Sequence, residues 1–326
     1  MKQPGDSTRV KQKRTSPARK AKRPKSKASS NGASAEGKWI GKSLRRREEM
    51  RLVQGQGSFV DDKKLLGMTH MRVIRSPYAH ARITSLDVSK AAAAPGVVCT
   101  LTGKEVAGMV KPFIEIGPGV GQTIQDFPLA VEKVVFQGEP VAVVVAESRA
   151  AAEDAAELVE VEYDLLPPVM TAEDALTDQS ILHEKAGTNK IWHGEFEYGD
   201  VDRAFKQAAH IVDIPRLHFH RFSSTPLENN AVIGDWDTKS ERITFYSNNS
   251  FPAFAAQFLS AALGVGIDQI RMHSIDIGGG FGIKITNYPY MAMCALASRK
   301  MGGRPVKWIE TRTEHMLASA HGNERT

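Results

Sequence analysis

Val141-Ala142-Val143-Val144-Val145 is an unbroken apolar run of mostly β-branched residues, the pattern of a strand covered on both faces. An alanine-rich stretch follows, with Ser148 placed to cap it and Glu153, Asp154 and Glu157 grouped on a polar side, which predicts a helix. Val159, Val161 and Tyr163 then alternate with Glu160 and Glu162, as in a half-buried strand. Strand, helix and strand in roughly thirty residues predict a mixed α/β domain rather than a β-sandwich. Shorter strands are expected over Met68–Ile74 and Val97–Thr102, and Arg75-Ser76-Pro77 breaks the first because Pro77 cannot donate to a ladder.

A second patterned region begins at Ala209 and reads as strand-rich to Tyr246, including Ala231-Val232-Ile233 and Ile243-Thr244-Phe245-Tyr246. Pro252–Leu263 reads as a helix, with proline in its first turn and Gly264 just past its end. Ile270–Ile277 is a predicted strand, Gly278–Gly282 a glycine loop, Tyr288–Lys300 a helix and Val306–Glu310 a strand. Between the two regions, Pro167-Pro168 and the aperiodic Thr171–Lys190 read as a linker. The expected organisation is a basic tail over 1–37, an α/β domain over 38–170, a linker over 171–190 and an α+β domain over 191–326.

Charge changes the picture at one end only. The chain carries a formal +6, but residues 1–27 hold eleven Lys and Arg against the single acid Asp6, so the rest is mildly acidic. With almost no apolar side chains, the tail cannot offset its ordering entropy and is expected to be disordered. Deleting residues 1–37 should therefore leave the thermal transition of the folded part within a few degrees of the parent, and a larger fall would mean that the tail packs on something. No run approaches about 18 uncharged apolar residues, and the basic start is not followed by an apolar block, so neither a membrane span nor a secretory signal is expected. A cytoplasmic chain is the reading. The two cysteines, Cys99 and Cys294, are too few for a disulfide scaffold, a four-thiolate zinc site or an iron–sulfur cluster.

Gly278-Gly279-Gly280-Phe281-Gly282 lies between a strand and a helix, where α/β proteins present backbone N–H groups to anions. It departs from the common nucleotide motifs: Ile283 stands where a Rossmann fingerprint has glycine, and Gly282-Ile283-Lys284-Ile285 replaces the Gly-Lys-Ser/Thr of a P-loop. Gly117-Pro118-Gly119-Val120-Gly121 fails the same tests and reads as a surface loop. His218 and His220 flank Phe219 in an expected strand, which would point both rings to one side, yet no third ligand lies at compatible spacing. No Gly-x-Ser-x-Gly elbow is present. The residues by themselves thus offer a loop suited to an anionic ligand and no complete catalytic set.

Several blocks together resemble the molybdopterin-binding large subunit of the xanthine dehydrogenase, aldehyde oxidase and aerobic carbon monoxide dehydrogenase family. Arg75-Ser76-Pro77-Tyr78-Ala79-His80-Ala81-Arg82-Ile83, Pro95-Gly96-Val97, Val134 to Ala142 and Val159 to Pro168 follow the order of that family's α/β hammerhead domain. Thr225-Pro226-Leu227-Glu228, the glycine loop and Arg312-Thr313-Glu314-His315-Met316 match its first molybdopterin-binding domain, an α+β fold. The resemblance, from about Trp39 onward, implies a cofactor of molybdenum and molybdopterin, in plain or cytosine dinucleotide form, with the metal held by the pterin dithiolene rather than by protein ligands. Gly279, Gly280, Phe281 and Gly282 are the implied cofactor-binding residues. Ser250 stands, by gap-free counting, where the family places a glutamine beside the metal, and Ile285 stands where purine-oxidising members have a glutamate. The implied activity is oxidative hydroxylation of an aldehyde, N-heterocycle or similar small molecule. Partner subunits would carry FAD and [2Fe-2S] clusters, and the second molybdopterin domain with the catalytic glutamate is expected beyond Thr326, on a C-terminal partner chain if the subunit is split or in the rest of the protein if this chain is a fragment. Two other readings stay open at this point: a non-catalytic truncated relic or scaffold, and a nucleic-acid-associated protein acting through its basic arm.

Overall fold

The computed structural model describes residues 40–115, 124–190, 193–220 and 222–322; the tail predicted over 1–37 and the loop Gly117–Gly121 lie outside them. Among the described residues, those from 40 to 53 form one unit, with a short helix at Glu49–Val53, and those from Gln54 form another. Strands β1 (Thr69–Arg75), β2 (Ala81–Asp87), β3 (Val97–Thr102), β4 (Pro140–Ala146), β5 (Glu160–Leu165), β6 (Ala231–Asp237), β7 (Arg242–Ser247), β8 (Ile270–Ser274) and β9 (Val306–Ile309) frame the second unit. Its main helices are α1 (Arg149–Ala156), α2 (Pro252–Leu263), α3 (Tyr288–Lys300) and α4 (Arg312–Ala318).

Seven strands form one mixed sheet in the order β8-β7-β6-β9-β1-β4-β3. As its pattern predicts, β4 is buried along its whole length, with Val143 opposite Val73 of β1 and Leu101 of β3. The half-buried β5 pairs with β2 in a separate three-stranded sheet, turning Val161 and Tyr163 onto Ala81, Val134 and Val141. The α+β class is as expected, and the large sheet adds something local patterns do not carry. Strands from 38–170 and from 191–326 share it, through the parallel pairing of β1 with β9 that sets Thr69 opposite Val306. Long-range pairing depends on residues more than two hundred positions apart, which no window of periodicity samples.

The core lies between this sheet and α2 and α3. From Met291 to Ser298, α3 is buried residue by residue, so it is an interior helix rather than an amphipathic surface one. Gly234 on β6 permits this, because a Cβ there would lie 2.9 Å from the Cβ of Cys294. Pro252 opens α2, and Gly264 closes it in the left-handed conformation, as the sequence predicts. Two expectations change. Ala209–Tyr246 is less strand-rich than read: apart from a two-residue strand at Phe222–Ser223, its regular pairing is confined to β6 and β7. The segment read as a linker contains a short helix, Ala172–Leu176, capped by the side chain of Thr171.

Candidate functional site

The parallel strands β7 and β8 end together, Ser247 opposite Ser274, so the segments leaving them emerge at the same edge of the sheet. Ligands in open α/β sheets gather at such carboxyl ends. Residues 248–251 follow β7 and the glycine loop follows β8, which explains how Ser250 and Gly280, thirty positions apart, come into contact. A Cβ built on Gly280 would lie 2.7 Å from the Ser250 hydroxyl.

The loop is strained and tied down. Gly279, Phe281 and Gly282 have φ of 99°, 46° and 90°, and the left-handed conformation of Phe281 costs on the order of 1–3 kcal/mol. The Phe281 ring is 73% exposed, so no packing of the ring accounts for that cost. Hydrogen bonds hold the frame around it. The Glu228 carboxylate accepts from the Gly278 amide at 2.7 Å and from the Lys284 ammonium at 2.9 Å through the same oxygen, Oε2. The Glu228 amide donates to the Gly278 carbonyl at 3.2 Å, the Ser224 hydroxyl donates to the Phe281 carbonyl at 3.1 Å, and the Ser250 amide donates to the Lys284 carbonyl at 3.0 Å. Burial pulls Lys284 below the ordinary lysine value, against the opposing pull of Glu228.

α4 anchors this frame from behind. Arg312 donates to the carbonyls of Pro226 and Leu227 at 2.7 and 3.0 Å, and His315 Nε2 meets the Ser224 carbonyl at 2.8 Å. At its other ring nitrogen His315 meets Glu310, 2.9 Å away, and Ser319 donates to Glu310 at 2.8 Å. Although Ser319, His315 and Glu310 suggest a hydrolase triad, serine and carboxylate approach the same ring nitrogen, Nδ1, and all three residues are buried. Relaying a proton from serine to histidine needs them at opposite nitrogens. The cluster is structural.

Four consecutive amides, of Gly279, Gly280, Phe281 and Gly282, donate to no acceptor among the described residues. The space over Gly282 is open, with nothing within 4 Å of where a Cβ would stand, and Glu228 Oε1 is buried without a partner. Unpaired backbone donors beside the open space at Gly282 fit an anionic ligand. The two glycines singled out by sequence differ in their reasons. Gly280 must lack a Cβ because of Ser250, within the protein, whereas Gly282 leaves room for something outside it.

The structure thus brings together all five residues singled out by sequence, Ser250, Gly279, Gly280, Phe281 and Gly282. The supporting pair Glu228 and Lys284 was not singled out by the sequence reading. A lysine between Ile283 and Ile285 was the available signal, since a charge inside an apolar triplet needs a partner. The ring centroids of His218 and His220 lie 4.7 Å apart, but neither residue belongs to a regular strand, so the expected alternation does not orient them. Burial raises the thiol of Cys99 to about 11 and that of Cys294 further, which makes both packing residues. A separate cavity of about 920 Å³ is lined by Phe113, Phe136, Tyr288, the Asp126 and His183 pair, and Glu139, whose carboxyl burial pushes up to about 7, and by none of the five candidate residues.

Comparison with known proteins bears on the fold. Residues 54–167 match the model of the aldehyde oxidase and xanthine dehydrogenase a/b hammerhead domain, and residues 182–326 match that of the molybdopterin cofactor-binding domain. The chain is 36% identical to the gamma subunit of the 6-hydroxypseudooxynicotine dehydrogenase complex of Paenarthrobacter nicotinovorans, over 88% of this chain and 36% of that relative. It is 35% identical to the carbon monoxide dehydrogenase large chain of Hydrogenophaga pseudoflava, over 85% of this chain and 36% of the relative. Among solved structures, quinoline 2-oxidoreductase from Pseudomonas putida 86 superposes with a TM-score of 0.80 at 35% identity, covering 87% of this chain and 36% of that one. The chain therefore spans about a third of the length of these relatives.

Proposed function

We propose, from the premise that this chain belongs to the xanthine dehydrogenase, aldehyde oxidase and carbon monoxide dehydrogenase large-subunit family, that it forms the N-terminal part of a molybdenum hydroxylase and presents the glycine loop to its molybdopterin cofactor. The observation that carries this reading is the row of four unpaired amides at Gly279–Gly282, beside Ser250 and next to the open space at Gly282. When bound, the cofactor supplies the oxidative hydroxylation, in plain or cytosine dinucleotide form. The chain's own residues bind and orient. The amides of 279–282 donate to the ligand's acceptors, the open face at Gly282 lets the main chain approach, and the Ser250 hydroxyl adds one short polar reach where a longer amide would extend further. The exposed Phe281 ring supplies an apolar wall that excludes water. Ile285 puts a hydrocarbon side chain where a purine would want a carboxylate, which favours an aldehyde, an N-heterocycle or a similar small molecule as substrate.

Catalysis in this reading requires more than these residues, namely the second molybdopterin domain with the catalytic glutamate, and FAD-binding and [2Fe-2S] components. The surface supports this. Between residues 196 and 222, Phe196, Tyr198, Val212, Leu217, Phe219 and Phe222 are all more than half exposed, and concentrated apolar exposure marks an interaction surface. The chain by itself is expected to oxidise no aldehyde, purine or N-heterocycle with an artificial electron acceptor, and the assembled complex to do so with molybdenum bound. Turnover by the isolated, metal-loaded chain would place the catalytic groups within residues 1–326. A purified complex lacking both molybdenum and activity would overturn the reading itself.

A further inference from the structure

We infer that Glu228 and Lys284 are positioning residues whose buried ion pair clamps both ends of the glycine loop and holds the unpaired amides of Gly279–Gly282 in place. The inference rests on the cofactor reading of that loop and extends it to two side chains outside the row of amides.

Three observations lead to it. Lys284 is fully buried, which is rare for a lysine, and its ammonium reaches the same Glu228 oxygen that accepts from the Gly278 amide. One carboxylate oxygen therefore holds the residue that opens the loop and the residue two places beyond its last glycine. The main chain repeats the tie, because the Glu228 amide donates to the Gly278 carbonyl and the Lys284 carbonyl accepts from Ser250. Fixing Lys284 thus also fixes Ser250, whose hydroxyl lies against Gly280.

Stability alone gives a weak reason for such a pair. Replacing a buried ion pair by apolar groups of similar volume is often neutral or stabilising. The loop supplies the missing reason. With φ of 46° at Phe281, a non-glycine residue of the loop sits in a sparsely populated conformation, which persists only where the surroundings over-determine it. Inside the loop the four amides are unpaired and Phe281 is exposed, so its internal ties are those on carbonyls, from Ser224 to Phe281 and from Ile283 to Gly280. The remaining restraint comes from its ends, and the pair stands at both.

The test uses the assembled protein and the double variant Glu228→Gln with Lys284→Met, which removes both charges at nearly constant volume and leaves no buried charge unpaired. The single variants Lys284→Met and Glu228→Gln accompany it. Three quantities are read: amide hydrogen exchange at Gly278, Glu228 and Ser250, exchange in β6 and β9 as the reference for the fold, and molybdenum per folded protein by elemental analysis. The double variant is expected to keep the thermal transition and the β6 and β9 protection of the parent. Its Gly278 and Ser250 amides should exchange about ten-fold faster, and its molybdenum content should fall several-fold. Parent-like exchange at those amides would overturn the clamp, and faster exchange with undiminished molybdenum would reduce the pair to a structural contact. A parent complex without molybdenum would sink the cofactor reading instead; exchange at Gly278 and Ser250 would then decide the clamp alone, faster supporting it and unchanged overturning it.

Discussion

Replacing Gly282 by valine is expected to empty the assembled protein of molybdenum while leaving most of it folded. Two effects of the substitution must be separated. The first is conformational: at φ of 90° a β-branched residue costs on the order of 1–3 kcal/mol, wherever in the protein it occurs. The second is local to the ligand. Nothing of the protein lies within 4 Å of the new Cβ, so any steric consequence falls on what the loop faces. Gly264→Val provides the control, because Gly264 also has positive φ and open space but caps α2 instead of facing the site. The two variants should lose similar stability. Only Gly282→Val should lose molybdenum, by about ten-fold or more per folded complex if a single main-chain contact is displaced, since ten-fold corresponds to about 1.4 kcal/mol. Equal metal content in both variants and the parent would mean that the loop is a turn with no ligand.

Glu314→Ala is expected to be the most damaging single truncation outside the hydrophobic core. Glu314 receives Arg75 on one oxygen at 3.1 Å and Arg72 on the other at 2.9 Å, and it also accepts from the Thr311 amide at the start of α4. The side chains of Arg75 and Glu314 are each only 6% exposed, so truncation leaves a guanidinium buried beside Tyr290 without its counter-charge. Stranding one partner of a buried pair costs about 3–5 kcal/mol, and losing the cap adds about 1. At roughly 2–4 °C per kcal/mol the thermal midpoint should drop by about 10 °C or more. Glu153→Ala is the comparison: its pair with Arg149 is about half exposed, and such pairs are worth at most about 1 kcal/mol. Denaturant titration of both variants checks this, and a loss below about 1 kcal/mol for Glu314→Ala would show that Arg75 finds another partner. Because α4 also carries Arg312 and His315, whose bonds hold residues 224–227 behind the glycine loop, the same variant should lower molybdenum retention.

Local pattern alone determined the elements whose signals are contiguous. β4 follows from five apolar positions in a row, α1 from its serine cap and alanines, α2 from proline and glycine at its two ends, and the glycine loop from its composition and its place between strand and helix. The capping box that starts α4 was also legible, as Thr311 followed three residues later by Glu314, though the block was read for its family likeness and not as a helix start. The family itself was legible because its blocks recur in order.

Tertiary structure alone decided how these pieces meet. Periodicity says that β1 and β9 are strands, but not that Thr69 faces Val306 and that regions read as two domains therefore share one sheet. Composition says that the loop could bind an anion, but not that Ser250 reaches Gly280, that Gly280 answers to the protein and Gly282 to the space outside, or that Glu228 and Lys284 close the loop from beyond its ends. The physical reason is range. Helix and strand signals arise from neighbours within a few residues, where sterics and hydrogen bonding act along the chain. The site depends on side chains that become neighbours only after the sheet has closed, and their burial, pairing and free valences exist only in that packed state.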